Sequence, residues 1–239
     1  MTKLKQELAG VIFDMDGVLI DSHPVHRAAW RKFLGTLGKQ IDDHELDFIL
    51  EGRRREEILR HFLGELPRTV IDEYGRAKDH YFQENFDSVR LIPGIKSFIR
   101  RLETASMPIA IATSASSART SATLRHLNLE EKFITVVTGD DVPAGKPDPA
   151  IYRLVSQRMG LNPTSLLVLE DAPCGVTAAR AAGMRCFGVA SNGRSEALLT
   201  AGAEHVIPNF IGLSLEKLLA LWIASNGSRN GRFQAASPA

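Results

Sequence analysis

Apolar positions along this chain alternate between two regimes. Short apolar runs, several of them β-branched, occur at 10–13, 109–112, 134–137, 166–169, 186–189 and 206–207. They read as strands buried on both faces, because hydrophobic character is nearly continuous within each. Helix-length or loop stretches separate them, which is the alternation of a parallel sheet flanked by helices. The interval from Asp21 to Leu91 breaks this rhythm. In residues 28–34 and 58–63 apolar positions recur at i+3 and i+4, the stripe of an amphipathic helix. The interval is too long for an ordinary crossover, and Pro93-Gly94 restarts the earlier pattern with a helix through Ile95, Phe98, Ile99 and Leu102. The expectation is an α/β fold whose core comprises residues 1–20 and 92–224, with an all-helical insertion at 21–91. Residues 225–239, rich in Ser, Asn, Gly and Ala, are expected to form a flexible tail.

Composition mainly excludes. The 239 residues are 44% hydrophobic and 24% charged, ordinary globular usage that leaves room for a sizeable core. Lys and Arg number 29 against 28 Asp and Glu, a net +1, so no basic excess marks a nucleic-acid partner. No apolar run reaches the ~18 residues that suggest a membrane span, and residues 1–8 carry no signal-peptide stretch. A cytoplasmic protein with no membrane partner is expected. Cys174 and Cys186 are too few for a disulfide scaffold and lack zinc-site spacing, so reduced thiols are expected.

Ligands of an open parallel sheet bind beyond the carboxyl ends of its strands, so the polar residues after each apolar run form the candidate site. Asp14 and Asp16 follow the first strand, Thr113 and Ser114 the second, Glu170 and Asp171 the fourth. Lys146 precedes a helix for which Asp148 is the expected N-cap and Pro149 the first helical residue. Carboxylates, a hydroxyl and one lysine on one edge suit a phosphate dianion with a hard divalent cation such as Mg2+.

Each element alone has a plainer reading. Asp-x-Asp-Gly can be turn chemistry, Thr113-Ser114 a capping pair, and Lys146 a solvated surface lysine. Glu170-Asp171 is stronger, because adjacent acids ending a buried strand are hard to solvate without a purpose. The EF-hand pattern fails at Val18 and Leu19. Residues 139–146 miss the Walker spacing by one residue, and Pro147 stands where Ser or Thr must bind metal.

As an ordered set, Asp14-Met15-Asp16-Gly17-Val18, Thr113-Ser114, Lys146-Pro147 and Glu170-Asp171 with Gly175 resemble the four motifs of the haloacid dehalogenase superfamily, in the branch with a helical cap after the first strand. The resemblance spans residues 11 to about 210. It implies a Rossmann-like core, Asp14 as nucleophile forming an aspartyl-phosphate, and Asp16 as acid and then base. It further implies Mg2+ on Asp14, Asp16 (through its main-chain carbonyl) and Asp171, with Glu170 assisting, and Thr113, Ser114 and Lys146 holding the phosphoryl group. The acid at 16 favours phosphate monoesters over halide or phosphonate substrates. Residues 14–30 are similar to β-phosphoglucomutase and related sugar-phosphate phosphatases, with His26 at a hinge histidine position and Trp30 at a tryptophan. Arg55, in Gly52-Arg53-Arg54-Arg55-Glu56-Glu57, falls where those proteins contact the distal part of the substrate. Equally, His26 can be a half-buried helix histidine and the arginine run a solvated helix start.

After Thr113-Ser114 the chain reads Ala115-Ser116-Ser117-Ala118, without the lysine and asparagine of the mutase. Hydrolysis of a small phosphorylated metabolite, in particular a sugar phosphate, is therefore expected over isomerisation. A phosphoglucomutase-like isomerase and a catalytically silent binding protein are the rival readings. The cap is expected to move about hinges near 19–22 and 91–94, and the protein to be a monomer or weak homodimer.

Overall fold

The computed structural model describes residues 7–190 and 193–228. In chain order, β1 (Gly10–Phe13) and β2 (Ile20–Asp21) lead into α1 (His23–Thr36), α2 (Asp43–Ile49), α3 (Arg55–Leu63) and α4 (Arg68–Gln83). After β3 (Arg90–Leu91) come α5 (Ile95–Thr104), β4 (Ile109–Ala112), α6 (Ser117–His126), β5 (Thr135–Val137), α7 (Ala150–Met159) and β6 (Leu166–Glu170). The chain continues through α8 (Pro173–Ala181), β7 (Arg185–Val189), α9 (Ser195–Thr200), β8 (His205–Ile207) and α10 (Leu215–Ser228).

Six strands form a parallel sheet in the order β5-β4-β1-β6-β7-β8, so the topology runs outward in both directions from β1. That reversal opens a crevice at the carboxyl ends of β1, β4 and β6. Alternation along β1 explains its uninterrupted apolar sequence. Val11 and Phe13 join a layer with Phe98, Phe210 and Trp222, while Ile12 joins the opposite layer with Ile151, Tyr152, Val155 and Val176. Helices α1 to α4 bury a third cluster of their own, including Trp30, Phe33, Leu34, Leu46, Leu59 and Ile71. This is the inserted helical cap.

Sequence patterning left out one element. The two connections between core and cap pair with each other as an antiparallel ribbon, Ile20 opposite Leu91 and Asp21 opposite Arg90. Two-residue strands are too short to produce a periodic signal. Expected strand bounds shift in four strands: β5 begins after Ile134, which is 61% exposed, β6 extends through Glu170, and β7 and β8 each begin one residue early. α10 continues to Ser228, four residues into the expected tail, and the remainder of that tail, 229–239, lies outside the described residues. Both cysteines are free thiols. Among the described residues no helix is long and apolar enough to cross a membrane.

Candidate active site

The Asp14 N–H donates to the Leu169 carbonyl at 3.0 Å, which fixes Asp14 at the sheet edge beside β6. The chain then turns through Gly17, whose φ of +75° and close approach to Asp171 both demand glycine; a Cβ there would lie 2.2 Å from Asp171 Oδ2. The turn closes with the Gly17 N–H on the Ile20 carbonyl at 2.7 Å and lifts Asp16 over the edge.

Lys146 Nζ is buried between two carboxylates, 2.6 Å from Asp14 Oδ1 and 2.6 Å from Glu170 Oε1, and also donates to the Ala112 carbonyl at 3.2 Å. Burial pulls the ammonium down, but Asp14 and Glu170 outweigh it and hold its pKa above the ordinary lysine value. Burial, reinforced by Glu170, Asp171 and Asp16, pushes the Asp14 carboxyl well above the usual carboxylate range despite Lys146. Glu170 is otherwise committed within the protein: Tyr152 donates to Oε1 at 2.9 Å and the Ala172 N–H to Oε2 at 3.0 Å. Both of its oxygens thus already accept from donors of the protein, Lys146 among them.

Asp14, Glu170 and Asp171 present carboxylate oxygens all within 4.8 Å of one another, all buried. Two of them contact Lys146, and the third, Asp171, has Arg194 3.9 Å away. Asp171 Oδ2 is buried without a well-directed hydrogen bond, although His23 Nε2 stands 3.0 Å away. Hard oxygen donors close together and a buried carboxylate oxygen without a well-directed hydrogen bond fit a divalent cation.

Asp16 faces the cavity from the other side. Arg119 grips it with both guanidinium nitrogens, 3.0 Å to Oδ1 and 2.5 Å to Oδ2, and Ser22 Oγ donates to Oδ1 at 2.5 Å. Burial alone would raise Asp16, yet Arg119 and then His26 hold it well below the usual range. His26, on α1, approaches Asp16 Oδ1 through Nε2 at 3.3 Å and meets Lys78 Nζ through Nδ1 at 3.0 Å. Burial, then Lys78, pushes this imidazole down to about 3, so it is neutral, with Nδ1 accepting and Nε2–H donating. Burial and then Arg119 lower Lys78 to about 8.

Thr113 is fully buried at the end of β4, and Ser114 Oγ donates to the Gly52 carbonyl of the cap at 2.8 Å. The arginine run divides its tasks. Arg53 pairs with Glu51 and Glu57, Arg55 with Asp79 at 3.1 Å, and Arg54 crosses to the core carbonyls of Gly139, Val142 and Pro143. Cap and core enclose a cavity of about 680 Å³ lined by Asp14, Asp16, Thr113, Ser114, Asp171, His26 and Arg55. Asp148 does not occupy the N-cap: α7 begins at Ala150 behind Pro149, and Asp148 Oδ1 accepts from the Ala150 N–H at 2.8 Å. The proline's missing N–H and fixed φ suit it to that slot as well as to the next.

Arg119, Lys78, His23 and Tyr152 were not singled out from the sequence. The one available signal was for Arg119, the first basic residue after Thr113-Ser114. Gly175 opens α8 where a Cβ would stand 1.7 Å from Glu170 Oε1. Gly175→Ala is expected to displace Glu170 and destabilise the fold by ~1–3 kcal/mol, read as a lowered urea midpoint; an unchanged midpoint would mean the carboxylate can step aside.

Residues 11–189 match the family model described as haloacid dehalogenase-like hydrolase. The fructose-1-phosphate phosphatase YqaB of Escherichia coli K12 is 37% identical over 185 residues, covering 75% of this chain and 95% of the relative. The phosphorylated carbohydrates phosphatase of Thermotoga maritima is 34% identical over 210 residues, covering 84% and 94%. Among solved structures, β-phosphoglucomutase from Clostridium difficile superposes with a TM-score of 0.81 at 25% identity, covering 92% of this chain and 99% of that one.

Proposed function

Because the chain belongs to the haloacid dehalogenase-like hydrolases, we propose that it is a phosphatase hydrolysing a small sugar or polyol phosphate with Mg2+ through an aspartyl-phosphate. The observation that carries this reading is the meeting of Asp14, Lys146 and Asp171 at one sheet edge, with Asp16 aimed into the same cavity.

An Asp14 carboxylate oxygen attacks phosphorus, the bond from phosphorus to the ester oxygen breaks, and Asp16 delivers a proton to the departing alkoxide. In the second half, Asp16 takes a proton from a water molecule that attacks the same phosphorus, releasing phosphate and regenerating Asp14. Asp16 is ionised at rest, so it acts as acid only after taking up a proton from the monoanionic form of the ester or from water, and the phosphate charge beside it favours that uptake. Lys146 and the main chain around Thr113 and Ser114 orient the phosphoryl oxygens. Asp14, Asp171 and the Asp16 carbonyl would hold the cation, which would supply charge neutralisation there.

The cap supports a polyhydroxylated leaving group. Around the cavity it offers Arg68 and Arg55, the latter paired with Asp79, while Trp30 and Lys78, also on the lining, are almost fully buried. Movement of the cap about the paired connections, with Arg54 releasing its core carbonyls, would admit substrate.

Phosphate release is expected across a panel of sugar and polyol phosphates, to stop in EDTA and to return with added Mg2+. Turnover that persists in EDTA would overturn the metal requirement. Interconversion of hexose 1- and 6-phosphates outpacing phosphate release would replace hydrolysis by the isomerase reading.

A further inference from the structure

We propose that Arg119 is a positioning residue that holds the carboxylate of Asp16 over the nucleophile from the core side, independently of the cap. The inference rests on the reading of Asp16 as acid and base.

Two groups of the cap side touch Asp16: Ser22, at the end of the ribbon, and His26, on α1, and both address Oδ1. Arg119 belongs to α6, directly after the loop that carries Thr113 and Ser114, and among the described residues it is the one that reaches Oδ2. Its two parallel N–H donors fix the plane of the carboxylate as well as its position. If α1 swings away with the cap, Ser22 and His26 go with it and the guanidinium stays. Asp16 is then still aligned when the alcohol leaves and water enters.

A purely structural role explains this arginine poorly. It is 9% exposed, so its guanidinium has given up most of its water. It also stands in the first turn of α6, where the helix dipole disfavours a cation. What repays the burial is the pair with Asp16, supplemented by the Phe82 ring 5.1 Å from the guanidinium carbon.

The experiment is a double-mutant cycle on full-length protein with Mg2+, using steady-state phosphate release from the best substrate of the panel. Arg119→Ala is expected to lower kcat ~10²-fold, the scale of a misplaced catalytic group, with KM nearly unchanged. In the Asp16→Ala background the same change should cost almost nothing, because its effect passes through Asp16. Arg119→Lys should recover little, since an ammonium cannot grip both oxygens in one plane. Added guanidinium ion at non-denaturing concentration should restore part of the Arg119→Ala rate and none of the double variant's. Should Arg119→Ala fold poorly, Arg119→Gln takes its place in the cycle. An unchanged kcat, a raised KM with kcat kept, or full additivity with Asp16→Ala would each overturn the proposal. A fully active Asp16→Ala would instead sink the underlying assignment of Asp16.

Discussion

Asp14→Asn is expected to abolish phosphate release, by at least ~10⁴-fold, the scale on which removal of a nucleophile acts in an enzyme that forms a covalent intermediate. The amide keeps the shape of the side chain but offers no anionic oxygen to phosphorus. Folding should survive, because Lys146 keeps Glu170 at 2.6 Å and the Ala112 carbonyl at 3.2 Å. Stability should hold or rise slightly, since burial and the neighbouring acids already disfavour a charge at Asp14. Phosphate release and thermal midpoint, measured side by side, check both halves. Retained turnover in the asparagine protein would remove Asp14 from the chemistry, whereas collapse of the fold would make it a structural residue.

Lys146→Met is expected to be the most destabilising single change at the site. Methionine fills the space, but Asp14 and Glu170 then face each other in a buried setting without a cation. Breaking a buried pair in this way costs ~3–5 kcal/mol, read as a shift of the urea midpoint. The lysine's folded-state pKa lies above its ordinary value of 10.5, so its contribution is fully present below that pH and is lost only as pH rises through the folded value. The wild-type advantage over the methionine variant should therefore persist at neutral pH and shrink towards acid pH, where the variant's orphaned carboxylates protonate. Adding Glu170→Gln should recover part of the loss by removing one orphaned charge. A midpoint close to wild type for Lys146→Met would mean that another group neutralises the pair.

The core was legible because its strands are buried on both faces, which writes β1, β4 and β6 into the sequence as unbroken apolar runs. The acids and the lysine were legible for a related reason: in such a sheet, the first polar residue after a run is already at the ligand edge. Side-chain direction was not. Nothing in Arg53-Arg54-Arg55 distinguishes the residue that crosses to the Gly139 carbonyl from the one that pairs with Asp79. Lys78 lies on a helix whose exposed positions are rich in charge, Arg119 on one whose exposed positions are mostly Ser and Ala, and only tertiary packing turns these two inward. Short elements escaped as well, since β2 and β3 owe their conformation to each other.

That ribbon has an evolutionary meaning. Because residues 20–21 and 90–91 are hydrogen-bonded neighbours, the ends of everything between them meet at a fixed point, and the entropy of closing that loop changes only slowly with its length. The intervening segment can lengthen, shorten or be exchanged for a foreign one without disturbing the register of β1 against β4 and β6. Selectivity for the leaving group can thus diversify as a detachable module, while the phosphorus-handling machinery stays constant beneath it.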